Sequence, residues 1–209
     1  MALAVVSASL IAFGLHGDVG SERAPPASEA AGAEGPVRAP SPQPPATGLK
    51  GKTDSNRSPV SLKIPAIELK ANIIRLGLNT DKTVEVPEDP DDAGWYSKGP
   101  KPGENGSAVI LGHLDSKTGP AVFYQLKNLD KGDQIAVKLS DHTVAHYQVT
   151  QVAQYANKDF PAKKVYAGSP DRPALNLVTC GGKYDRAAGG YQSNVVVYTK
   201  YLWATQSTT

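Results

Sequence analysis

An all-β domain, closed into a barrel or stacked as a sandwich, is what this sequence predicts. Three observations predict it. Runs of four to ten residues rich in Val, Ile, Thr and Tyr recur between positions 61 and 201, and that composition suits a pleated, half-buried strand. Turn chemistry separates them, at Gly99-Pro100, Asn105-Gly106, Lys131-Gly132-Asp133 and Gly181-Gly182. Helical patterning is scarce: only residues 122–129 and 160–167 suit short helices, and neither carries a long 3.6-residue period.

Taken in order, the expected strands are residues 61–64, 67–74, 83–86, 108–112, 134–139, 143–152, 175–179 and 194–201. Residues 61–64 (SLKI), 83–86 (TVEV), 134–139 (QIAVKL) and 143–152 (TVAHYQVTQV) alternate polar with apolar, the mark of one wetted face. Residues 108–112 (AVILG) and 174–179 (ALNLVT) are continuously apolar enough to be buried. Eight or so strands with few helices leave a closed barrel and a sandwich as the two architectures. No internal repeat is visible.

The predicted domain occupies residues 60–203, a comfortable size for one core. Before it the composition changes. Eight of the 17 prolines lie between Ser21 and Val60, and no Phe, Trp or Tyr occurs between Phe13 and Trp95. Such a stretch buries too little apolar surface to offset its ordering entropy, so residues 17–59 are expected to be a disordered tether. Its run APSPQPP at 39–45 favours extended polyproline geometry. Residues 1–16 open with an uncharged apolar stretch at 2–15, short for a membrane span but sized for a signal-peptide core. Export, with or without retention as a membrane anchor, is the expectation. A buried N-terminal helix is the alternative, but nothing after it supplies a partner face. Residues 204–209 read as a tail.

Composition also excludes. With 22 Lys+Arg against 20 Asp+Glu the net charge is +2, without the basic excess that nucleic-acid binding uses. One cysteine forbids an intrachain disulfide and a four-cysteine zinc site. Asp89, Asp91 and Asp92 resemble an acidic patch, but Pro90 interrupts it and calcium-loop spacing is absent. That patch reads as a solvated turn, and no metal or cofactor is expected.

Cys180 ends the apolar run 174–179 and precedes two glycines, so it is placed at a strand exit beside a loop. A lone cysteine is usually a small core residue. In an exported protein an unpaired thiol is an oxidation liability, which favours a nucleophile. A free thiol with a pKa of about 8.5 needs a base. His113 closes the run 108–112 and occupies the same kind of place. His142 sits in a turn, His146 in an alternating strand and His16 in the leader, so they are poorer partners. Arg186, in the glycine-rich loop 181–190, is the one arginine after the cysteine. A guanidinium there suits an oxyanion, although beside Asp185 it is equally a solvated loop residue.

Gly112-His113-Leu114-Asp115, Leu177-Val178-Thr179-Cys180 and a later Arg before Asn194-Val195-Val196-Val197-Tyr198 resemble the sortases. Thr-Cys-Gly-Gly at 179–182 and the late Asn-Val-Val-Val-Tyr look most like the actinobacterial class F group. The resemblance implies a closed eight-stranded barrel with one or two short helices. It implies Cys180 as nucleophile, His113 as general acid/base and Arg186 as oxyanion or carbonyl donor. It implies a monomeric extracytoplasmic transpeptidase on a Gram-positive surface, cutting a Leu-Pro-any-Thr-Gly signal between Thr and Gly through a thioester. The amine that resolves the thioester is typically on a cell-wall precursor. The chain departs from the family in its short leader without basic residues, and in Gln192 and Asn194 where many sortases carry the Arg.

Three other readings compete. An L,D-transpeptidase resembles Ser-x-Gly-Cys-x-Arg at its nucleophile, which Thr179-Cys180-Gly181 does not fit. A papain-like peptidase has its cysteine at a helix start ahead of the histidine, the reverse of the order here. A non-catalytic surface β-domain on a proline-rich stalk would often carry its own sorting signal and apolar tail. The end of this sequence, Trp203 to Thr209, holds neither.

Overall fold

The computed structural model describes residues 57–207. The expected leader at 1–16 and all but the end of the tether at 17–59 lie outside the described residues. The strands are β1 (Pro59–Ile64), β2 (Leu69–Leu76), β3 (Ala93–Tyr96), β4 (Gly106–Leu111), β5 (Asp115–Ser116), β6 (Gly119–Pro120), β7 (Gln134–Leu139), β8 (Thr143–Ala156), β9 (Pro173–Asp185) and β10 (Gly190–Gln206). Eight of them close into a barrel in the order β1-β2-β3-β4-β9-β10-β8-β7, while β5 and β6 form a separate two-stranded hairpin. Closure decides against the sandwich. Two neighbouring pairs, β2 with β3 and β4 with β9, run parallel.

The expected helical segments are shorter than their windows. Residues 122–129 hold a single 3₁₀ turn at Leu126–Asn128, and residues 160–167 hold α1 (Ala162–Tyr166).

One expected strand is misplaced. Residues 83–86 contribute only an isolated bridge, Leu78 with Val84, and the barrel strand is β3 instead. Four residues containing a glycine give little periodic signal. Its place is set by pairing with β2 and β4 on either side. The segment 77–92 becomes a loop over the outer wall, tied back where the Gly77 N–H donates to Glu85 Oε2 at 2.6 Å.

The ends also differ from expectation. Ser140 N–H donates to Ser58 O at 2.9 Å, and Arg57 pairs with Asp141 at 2.6 Å, so residues 57–59 dock on the barrel. At the other end Ala204, Thr205 and Gln206 pair with Ala145, Val144 and Thr143, so these three belong to β10 and not to a tail. Both ends gain ladder bonds that composition alone does not announce.

Two apolar clusters hold the fold. One fills the barrel, with Leu62, Ile64, Ile110, Phe123, Leu126, Ile135, Val137, Tyr147, Leu175 and Leu177 among its buried members. The second lies on the outer face, where Val109, Leu111, Val178 and Val196 are covered by Val165 and Phe160. The parallel pair β4 and β9 is therefore buried on both faces, and this is why its sequences run continuously apolar. Asn176 Nδ2 secures α1 by donating to Val165 O at 2.7 Å inside that layer.

Candidate active site

The site grows from the β4–β9 ladder. Ile110 faces Leu177, and Leu111 faces Val178. Beyond the last pair, Gly112 N–H still donates to Val178 O at 3.2 Å. On the other side of β9, Val178 pairs with Val196 and Cys180 with Asn194. Residues two apart on a strand share a face, so Cys180 and Asn194 follow Val178 and Val196 on one face, and His113, two residues past the end of β4, lines the same recess. That face is the outer one, because Leu111, Val178 and Val196 belong to the outer cluster. The thiol opens onto a groove at the barrel rim and not into the barrel.

Strand β9 does not end at Cys180 as expected. It continues to Asp185 and turns back as β10, so residues 181–190 are a projecting hairpin. What ends near Cys180 is β4, its partner on one side. Loss of that partner opens the groove while the β10 side keeps the chain in register. Gly182 adopts φ +75°, a conformation that suits glycine, where the hairpin leaves the rim.

A cavity of about 330 Å³ lies in this groove, lined by His113, Asp115, Cys180, Tyr184, Tyr191 and Asn194 among others. A smaller recess of about 40 Å³ adjoins it, shared by Leu111, His113, Val178, Thr179 and Cys180. The roof is Val86 and Pro87, from the segment misread as a strand.

His113 is held from two sides. Its carbonyl accepts the Phe123 N–H at 2.9 Å, and its Nε2 lies 2.7 Å from Pro87 O. A carbonyl only accepts, so it is Nε2 that donates in this bond. The preceding glycine is a packing requirement: a Cβ at Gly112 would fall 2.7 Å from Phe123 and Val122 side-chain atoms.

Cys180 is half-buried. Burial pushes its thiol up, and the Asp115 carboxylate pushes it further in the same direction. A thiol whose ionisation is disfavoured in this way needs a base to react, and the His113 imidazole lines the same cavity. Tyr191 OH donates to Asp115 Oδ2, and this bond with burial pushes the phenol up to about 12. Asn194 Nδ2 donates to Asn157 Oδ1 at 2.9 Å, and Asn157 Nδ2 to Tyr191 O at 2.8 Å. These amides strap the 3₁₀ turn Asn157–Asp159 to the rim.

Of the three residues singled out from sequence, the structure brings Cys180 and His113 to one cavity. Arg186 is exposed at the hairpin tip, in a turn that Asp185 Oδ1 stabilises by accepting the N–H groups of Ala187 and Ala188, and it does not line the cavity. Of the aromatic residues, Tyr184 and Tyr191 line the cavity, while Trp95 and Phe123 are core. Phe160, Val165 and Tyr166 belong to the outer cluster and not to the cavity lining. Asp115, Thr179, Asn157 and the Pro87 carbonyl were not singled out. Asp115 and Thr179 fall inside the motifs that carry the resemblance, while the signal of Asn157 and Pro87 is only spatial. Among the described residues no group of metal-ligating side chains is assembled.

Fold and site together define a class, β-barrel proteins that present one thiol beside one imidazole in an outer groove. The sortase domain family matches residues 62–202, and the chain belongs to the sortase family of cysteine transpeptidases. Solved structures agree at the level of fold. Sortase A of Listeria monocytogenes is 14% identical with a TM-score of 0.55, over 73% of this chain and 92% of that one. Sortase D5 of Clostridium perfringens is 21% identical with a TM-score of 0.51, over 69% and 78%. Sortase C of Streptococcus pneumoniae is 23% identical with a TM-score of 0.51, over 75% and 74%. No curated protein sequence matches the chain.

Proposed function

We propose that this sortase is an extracytoplasmic enzyme of the class F type that cleaves a Leu-Pro-any-Thr-Gly signal between Thr and Gly. It transfers the resulting acyl group to an amine of the cell wall. The observation that carries this reading is that His113, Cys180 and Asn194 line one open groove. In that role Cys180 attacks the Thr carbonyl, and His113 Nδ1 takes the thiol proton and returns it to the leaving Gly amine. A thioester forms as the amide breaks, and a second amine later exchanges with the sulfur. Two steps replace one difficult amide exchange.

The Thr-Cys-Gly-Gly motif at 179–182 supports the class F placement, and the apolar segment 2–15 supports export and membrane attachment. Among the described residues no helix is long and apolar enough to cross a membrane. The enzyme works as a monomer with a peptide and an amine as its partners.

The test is intact-mass detection of an acyl-enzyme with a panel of sorting-signal peptides. A mass gain equal to the peptide up to its Thr, lost on adding an amine, is expected. Absence of any adduct across the panel overturns the reading.

A further inference from the structure

Exchange of an amide at sulfur passes through a tetrahedral carbon whose oxygen carries negative charge, and that charge calls for a preorganised donor. Among the described residues neither a lysine nor an arginine lines the cavity at Cys180, and Arg186 stands outside it. Two spaces meet at the sulfur, the cavity of about 330 Å³ and the recess of about 40 Å³. The polar side chains that border both are His113, Cys180 and Asn194. His113 Nε2 is engaged with Pro87 O, and Cys180 supplies the sulfur. Asn194 is the donor that remains. Gln192 borders the outer cavity alone and turns its Nε2 to Gly190 O at 2.8 Å.

The ladder brings Asn194 close to the sulfur. Val178 O accepts from Gly112 on the β4 side, so Cys180, two residues on, also directs its backbone groups away from β10. Cys180 and Asn194 therefore face each other as a non-hydrogen-bonded pair. In such pairs the Cα atoms are only about 4.5 Å apart and the side chains are at their closest. The amide is also oriented. Tyr191 O only accepts, so Asn157 turns Nδ2 to it at 2.8 Å and keeps Oδ1 for Asn194, whose Nδ2 donates at 2.9 Å. An amide nitrogen carries two protons, and this bond uses one. Asn194 is 6% exposed, so its nitrogen is anchored in a largely desolvated place where a dipole acts strongly.

We propose that Asn194 is a further catalytic residue, its Nδ2 donating the second proton's hydrogen bond to the carbonyl oxygen of the acyl group under attack at Cys180. The identity of that acyl group rests on the transpeptidase reading above. In the step served, Cys180 gives its proton to His113 and its sulfur adds to the Thr carbonyl carbon. The C–S bond forms, and the carbonyl π pair moves onto oxygen, where Asn194 meets it. The pair returns as the C–N bond breaks, and the proton on His113 leaves with the Gly amine.

The test uses the full chain and two reagents for its one cysteine. p-Nitrophenyl acetate acylates sulfur through a tetrahedral oxyanion, and iodoacetamide alkylates it without one. Both consume the same thiolate, so any change in thiol acidity cancels in the ratio of their rates, and Cys180→Ala supplies the background of each. Asn194→Ala and the similarly sized Asn194→Leu should cut the acylation-to-alkylation ratio about tenfold or more. Asn157→Ala removes the strap and keeps the donor, and should lower the ratio by less than about threefold. A ratio unchanged in both Asn194 variants overturns the proposal. An equal fall in Asn157→Ala would make Asn194 a positioning residue, and an equal fall in Gln192→Ala would move the donor there; either overturns it. With a cleaved sorting-signal peptide, Asn194→Ala should lower kcat about 10²–10³-fold and hold KM within about threefold. If the parent cleaves no peptide of the panel, the sorting-signal reading fails, and the reagent ratio still decides Asn194.

Discussion

His113 follows Leu111 by the same two residues by which Cys180 follows Val178, and Leu111 and Val178 face each other in a parallel ladder. The thiol is carried on β9 and the imidazole on the loop that leaves β4 two residues past its last ladder pair, and both line one cavity. A thiol placed on a doubly buried strand inherits its rigidity, which is what precise proton transfer needs. The partner that moves is the substrate.

Cys180→Ala should abolish acyl-enzyme formation while shifting the melting temperature by no more than about 2 °C. The side chain is half-buried at the rim and belongs to neither apolar cluster, and such sites change stability little. Mass spectrometry with a sorting-signal peptide and a thermal melt check both halves. Adduct formation by the variant would remove the sulfur from the chemistry.

His113→Ala should lower kcat/KM about 10²–10⁴-fold, the usual loss when a positioned acid/base is deleted. Steady-state cleavage of a fluorogenic peptide measures it. Turnover near the parent's would move the proton work to another group.

Alkylation of Cys180 by iodoacetamide should rise with pH to a midpoint above the ~8.5 of a free thiol. The sign follows from the causes: burial and the Asp115 charge both disfavour the anion, so thiolate appears only at higher pH. Asp115→Asn should move the midpoint down. A parent midpoint below that of a free thiol contradicts the geometry.

Thr179→Val should leave the protein as stable or raise its melting temperature by about 2–4 °C. It replaces an unpaired buried hydroxyl with a methyl of the same shape, which is neutral or favourable. A clear loss of stability would show that the hydroxyl has a partner.

Arg186→Ala should change kcat/KM by less than about threefold, because its guanidinium stands at the exposed hairpin tip outside the cavity. A loss of a hundredfold or more would mean that the hairpin folds inward over bound peptide.

Legibility followed locality. Seven of the eight barrel strands overlap periodic or apolar runs, because burial on one or both faces writes itself into side-chain choice. The run 83–86 misled, since its alternation serves a loop whose Val86 and Pro87 roof the groove. β3 was silent because pairing with β2 and β4, and not its own four residues, makes it a strand. Cys180 and His113 were singled out because each follows a buried run, and the structure lines one cavity with both, although β9 runs on past Cys180 to Asp185. Arg186 was named by elimination, and position along the chain does not say which way a hairpin tip points.

By itself the sequence determined an all-β barrel-sized domain, a proline-rich lead-in, and a thiol and an imidazole each closing a buried run. These follow from burial and turn chemistry, which act within a few residues. Only the tertiary structure decided that the pair opens onto the outer face, that Pro87 O holds the imidazole at Nε2, and that Asp115 and Tyr191 meet across the mouth. Those contacts join residues 26 and 76 positions apart. Barrel closure and strand order bring them together, and no local pattern encodes either.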